Sequence, residues 1–230
     1  MRFLQRIRES FSKDVATLKT LSFTQKLRFI LDYYRGYAFI FLCLVLAGFY
    51  LGDVWMQTRR ETVLEGFFTN DETNCFPADQ IAKEFSRVLG LSSKQQVVFD
   101  DSLYIQRGSS IDYHTASQSK IVAYVSAREL DFLVTTRELT DYYSKTFPLC
   151  DLEQLLPSQL AGQLKDNLYY IPDSQGVTKA CAVSLEGSRF TKRAASHTAA
   201  PYYLMVFSYT QHPDAVIRFL EYAFEKDSLP

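Results

Sequence analysis

The run Tyr37–Gly52 holds 16 residues without a single charge, and it constrains this chain more than any other feature. Crossing the hydrocarbon core of a bilayer takes roughly 20 apolar residues at about 1.5 Å of rise each. Gly36 on one side and Val54-Trp55-Met56 on the other extend the run to that length, with Asp53 as the one interruption. Tyr33, Tyr34 and Tyr37 at one end and Tyr50 and Trp55 at the other match the aromatic belts that sit at the two membrane interfaces. The competing reading is a buried core helix of a soluble protein, which has no reason to carry aromatics at both mouths. The sequence therefore predicts one transmembrane helix over 36–56.

Charge sets the direction. Residues 1–35 carry eight Lys/Arg against three Asp/Glu, whereas 57–230 carry 17 against 22. A basic flank stays in the cytosol, so the expectation is a cell-membrane protein with a cytosolic N-terminus and an extracellular C-terminal domain. About 35 residues precede the apolar run and no small-x-small site follows it, which favours an uncleaved signal anchor over a cleaved signal peptide. Cys43 lies inside the run behind Ile40-Phe41-Leu42, against a lipoprotein signal. Within 1–35, Phe3/Leu4, Ile7, Phe11, Val15 and Leu18 share one helical face among basic residues. That is the pattern of an amphipathic helix on anionic lipid, or else of a basic tail. Ser22 with Gln25 forms a capping box for a helix running into the membrane.

Residues 57–230 alternate strands with helices. Strands are expected at 62–68, 96–100, 131–135, 167–171, 178–184 and 202–209, and helices at 77–89, 116–129, 137–145 and 214–225, with short helical pieces around Pro157. Pro77 and Gly90 bracket the first of these helices. Strand–helix alternation implies an α/β domain with a mainly parallel sheet, right-handed crossovers and helices on both faces. No basic stripe interleaved with aromatics is present, so nucleic acid is not expected as a partner.

Lys26-Leu-Arg-Phe-Ile-Leu-Asp-Tyr-Tyr34, leading straight into a membrane helix, resembles a group of poorly characterised Gram-positive bacterial membrane proteins. Their outer domain is similar to part of a type 2 periplasmic (extracellular) solute-binding protein. Here the matching stretches are Glu129–Tyr143, Pro148–Leu152, Pro201–Phe207 and His212–Leu220. Such binding proteins close two lobes around a ligand and commonly need some 300 residues. The resemblance therefore implies about one lobe, without the enclosure that buries a ligand.

In open parallel sheets ligands bind beyond the carboxyl ends of the strands. Those ends carry Thr69, Asn70 and Asp71; Asp100, Asp101 and Ser102; and Thr135 and Thr136, with Tyr209 joining after the late strand. They make a candidate polar site, the alternative being ordinary turn chemistry, which uses the same residue types. No catalytic residue, metal ligand or cofactor is expected. His114, His197 and His212 stand apart from any His-Glu-x-x-His or Cys-x-x-Cys pattern, and neither a Gly-x-Ser-x-Gly elbow nor a glycine-rich phosphate loop occurs. Cys75, Cys150 and Cys181 allow three pairings, Cys150–Cys181 slightly ahead because both flank one irregular region, with buried free thiols as the equal alternative.

The resulting expectation is a non-enzymatic, membrane-anchored binding or scaffolding protein whose partners are the lipid bilayer and a small polar solute. Its rival is an accessory subunit whose outer domain and anchor helix contact a partner membrane protein or transporter. An enclosed polar cleft would favour the first, a large exposed aromatic patch the second.

Overall fold

A computed structural model describes residues 35–57, 60–172, 176–193 and 201–224. The chain divides into two compact units, Met1–Arg59 and Arg60–Pro230. In the first, helix α1 spans Arg35–Gln57, and Phe39, Phe41 and Phe49 are all about two-thirds exposed or more (66%, 69% and 75%). Among the described residues no helix is long and apolar enough to cross a membrane. The helices expected within 1–34 lie outside the described residues.

The second unit is an α/β domain, and the strand–helix alternation of the sequence is realised closely. Its elements are β1 (Glu61–Thr69), α2 (Ala78–Val88), β2 (Gln95–Leu103), α3 (Asp112–Ala127), β3 (Phe132–Thr136), α4 (Arg137–Tyr143), α5 (Leu152–Leu155), α6 (Ser158–Gln163), β4 (Leu168–Pro172), β5 (Thr178–Ser184), α7 (Arg189–Arg193), β6 (Tyr202–Val206) and α8 (Pro213–Ala223). The six strands form one sheet in the order β2-β1-β3-β6-β5-β4.

The expectation of a mainly parallel sheet is corrected. Only β1–β2 and β1–β3 pair in parallel, whereas β3–β6, β6–β5 and β5–β4 are antiparallel. For β4 and β5 the cause is connection length: a parallel return needs a crossover of a dozen residues or more, but only residues 173–177 separate these two strands, so the chain must turn back on itself.

Both sheet faces are covered, as the alternation within the strands requires. Leu64, Phe68, Phe132, Val134, Leu204 and Val206 face one core with Ile81 and Phe85 of α2 and Val216, Phe219 and Leu220 of α8. Phe67, Leu133, Tyr203 and Met205 face the other, with Ile121 and Val125 of α3 and Leu139 and Tyr143 around α4. The first core is dominated by aromatic rings. Phe219 stacks on Phe132 with centroids 4.8 Å apart and meets Phe85 edge-on at 5.2 Å. Helices α2 and α3 lie on opposite faces because the chain steps from β1 to β2 and then back across β1 to β3. A right-handed crossover in each direction demands opposite sides.

One buried acid ties three strands to α8. Asp131, just ahead of β3, is 3% exposed. Its carboxylate accepts from the Glu65 amide of β1 at 2.8 Å, from Thr210 Oγ1 at 2.5 Å, and faces His212 Nδ1 at 3.1 Å. Its main-chain carbonyl accepts from the Phe207 amide beyond β6 at 3.0 Å.

The neighbouring Glu65 side chain feels this crowding. Burial, then the charges of Glu129 and Asp131, push its carboxyl up to about 7, with Lys120 opposing. The folded value lies above the ordinary 4.5, so the folded chain retains a proton that the unfolded chain releases. Stability should fall as pH rises from about 4.5 to about 7 and then level off. Glu65→Gln is expected to raise the melting temperature at about pH 8 and to change it little at about pH 4.5. Equal effects at both pH values would refute the assignment.

Candidate functional site

The parallel half of the sheet reverses direction at β1, which places a topological switch point at the carboxyl ends of β1 and β3. Thr69 and Thr135, both fully buried, meet there. Thr69 Oγ1 donates to Thr135 Oγ1 at 2.7 Å, cross-linking the two strand ends. Asn70 follows at a left-handed φ of 58°, a conformation its short amide tolerates well. Its Nδ2 donates to the Ile105 carbonyl and its Oδ1 accepts from the Ile105 amide, each at 2.8 Å. This two-point clamp fixes the loop after β2 against the end of β1.

Above that clamp lies a cleft of about 490 Å³, bordered by Asn70, Tyr104, Gln106, Arg107, Thr136 and Glu138. A second hollow of about 210 Å³ shares Ile105, Arg107 and Leu139 and adds Gln118, Tyr142 and Tyr143. The Arg107 guanidinium lies over the Tyr142 ring, 4.7 Å from its centroid, and 3.6 Å from the Glu138 carboxylate. Both charged side chains are more than half exposed, at 52% and 72%. A pair so open to water contributes at most about 1 kcal/mol and opens readily for a competing ligand. The Tyr143 hydroxyl is buried with no hydrogen-bond partner among the described residues, and burial raises its phenol to about 12.

Of the residues expected at this site, the structure brings together Thr69, Asn70, Thr135 and Thr136. Asn70 and Thr136 border the cleft, and the other two brace it from beneath. Asp71 turns into its own loop, accepting from the amides of Cys75 at 2.8 Å and Phe76 at 2.6 Å. Asp100 accepts from Lys120 of α3 at 2.5 Å and from Ser102, and those bonds hold its carboxyl below the usual range against the opposing effect of burial. Asp101 accepts from the Ala78 amide at 2.9 Å, capping α2 where Pro77 offers no side-chain cap. Asp100, Asp101 and Ser102 belong to β2, which runs to Leu103, three residues past its expected end.

Tyr209 belongs to the opposite end of the sheet. Because β6 is antiparallel to β3, pairing Phe132 with Val206 and Thr136 with Tyr202, the residues after β6 lie beside the start of β3. There the Tyr209 ring stacks on Phe207 at 5.4 Å, and burial followed by the Asp131 charge raises its phenol. Of the two alternatives for the cysteines, no disulfide joins the described ones. Cys150 packs against the first core, its Sγ 3.7 Å from the Asp151 carbonyl, while Cys181 is buried within β5.

Arg107, Glu138 and Tyr104 went unanticipated in the sequence. Ending β2 at Asp100 assigned its loop to 101–102, whereas the rim of the cleft begins at Tyr104. The usable signal was the Arg107-Gly108 turn ahead of α3, with Gly108 at φ 73°. Among the described residues no cluster of three or more His, Cys, Asp or Glu could hold a metal ion. No protein-family model, curated protein or solved structure matches the chain.

Proposed function

We propose that this chain is a non-enzymatic, membrane-anchored binding protein whose outer α/β domain takes a small polar solute at the cleft beyond β1 and β3. The uncharged run Tyr37–Gly52, its aromatic flanks and the basic excess before it support α1 as the anchor, with the second unit outside the cell. One sheet covered on both faces is of a size compatible with a single lobe of the solute-binding fold that the sequence resembles, an argument by analogy.

The observation that carries the solute reading is the exposed Arg107–Glu138 pair, 3.6 Å apart, at the border of a cleft of about 490 Å³ at the switch point. That volume falls within the range of small-molecule sites. A cation and a carboxylate a few ångströms apart suit a zwitterion, whose carboxylate would go to Arg107 and whose ammonium would go to Glu138. Asn70, already committed to Ile105, serves as rigid framing rather than as a donor.

The full-length chain in a non-ionic detergent should be screened by thermal shift against amino acids, short peptides and sugars. A zwitterionic solute at ten times its Kd is expected to add about 1.4 kcal/mol, or about 3–6 °C in melting temperature. Arg107→Ala should remove that shift. No shift with any class at millimolar concentration would overturn the solute reading in favour of contact with a partner protein.

A further inference from the structure

At the amino ends of β1 and β2, opposite the candidate solute cleft, lies a second depression of about 430 Å³ with a different character. Three cations border it: Arg60 ahead of β1, and Lys83 and Arg87 one helical turn apart on α2. Ser86, Ser93 and Gln95 add polar groups, and no carboxylate is among the bordering residues. All three cations are exposed, and none forms an ion pair with a described carboxylate. This runs against the balance of the unit, which carries fewer Lys/Arg than Asp/Glu. Arg87 sits in the last turn of α2, where it offsets the helix dipole, but Arg60 and Lys83 have no such duty.

We infer that this depression is an oxyanion site for a phosphoryl group. Its geometry supports that chemistry. Register pairs Glu61 with Gln95, so the start of β1 holds Arg60 beside β2, and the packing of α2 on the sheet brings Lys83 and Arg87 to the same hollow. Two guanidinium forks and an ammonium border one space, the kind of residue set that charge-assisted phosphate recognition uses. Two sources supply such a group: free phosphate or its esters, and the headgroup of an anionic phospholipid. Arg60 stands three residues along the chain from Gln57, the last residue of α1. The headgroup source rests on α1 being a membrane anchor, whereas the free-phosphate source does not. Neither rests on the solute cleft.

The test is protection of Lys83 from acetylation, read by mass spectrometry on the full-length chain with exposed Lys145 as internal reference. In non-ionic detergent, millimolar inorganic phosphate is expected to slow Lys83 acetylation at least about threefold relative to chloride at equal ionic strength, leaving Lys145 unchanged. In nanodiscs without phosphate, phosphatidylglycerol but not phosphatidylcholine alone should give the same protection if the source is a headgroup. Protection by either phosphate or phosphatidylglycerol supports the site and identifies its source. Arg60→Gln combined with Arg87→Gln should abolish it. Chloride matching phosphate together with no effect of phosphatidylglycerol overturns the inference, as does full protection surviving in the double variant.

Discussion

Replacing Gly66 with alanine is expected to destabilise the outer domain by about 3 kcal/mol or more. Gly66 lies in β1 directly opposite Phe132 of β3. A Cβ at this position would stand 2.1, 2.4 and 2.5 Å from three ring atoms of Phe132, far inside contact distance. The ring has nowhere to retreat, since it stacks on Phe219 at 4.8 Å and meets Phe99 and Phe68 edge-on at 5.6 and 5.9 Å. Relief must come from parting β1 and β3, which would also pull apart the Thr69–Thr135 bond under the candidate cleft. Thermal unfolding of the full-length chain in detergent measures the cost. Adding Phe132→Leu to the alanine variant should recover part of the loss, because a smaller side chain makes room and the two sites are coupled. A lone Gly66→Ala within about 1 kcal/mol of the parent would contradict this packing.

Asp131→Ala should be comparably damaging, costing about 3–4 kcal/mol. The alanine would leave the Glu65 amide and the Thr210 hydroxyl without their acceptor and His212 without its partner, in a place where the acid itself is 3% exposed. For a domain of this size each kcal/mol moves the melting temperature by about 2–4 °C, so a fall of about 6–16 °C is expected. Asp131→Asn should cost less, since one amide oxygen still accepts from Glu65. If both variants melt alike and near the parent, the acid does not hold the sheet and α8 together.

Much of this architecture was legible because its elements announce themselves locally. Thr178–Ser184 alternates cleanly and is β5 residue for residue. Pro77 and Gly90 bracket α2 as their backbone preferences dictate, Gly90 at φ 63°. What local pattern does not encode is which strand lies beside which, or in what direction. A run such as Tyr202–Val206 is buried on both faces whichever way it runs, so its apolar character says nothing of orientation. That ambiguity displaced Tyr209, whereas Thr135 and Thr136 lie at the carboxyl end of β3 because that strand obeys the parallel rule with β1. Asp100-Asp101-Ser102 has the composition of a turn and yet is strand. An outermost strand has a partner on one side only, so carboxylates are tolerated there and were recruited to pin α3 and cap α2. Arg107 comes from the loop ahead of α3 and Glu138 from the first turn of α4, and only the tertiary fold brings them together.

The position of β6 also fixes the order in which this domain can assemble. Of the described strands it comes last in chain order and yet sits in the interior of the sheet, with β3 on one side and β5 on the other. While the polypeptide is being made, the parallel half and the β4–β5 hairpin can each form early, but they remain two unjoined pieces until residues 202–206 emerge and slot between them. Cooperative closure is therefore deferred until those residues have left the ribosome, and a ribosome stalled shortly before that strand would leave a product with two raw, unsealed borders.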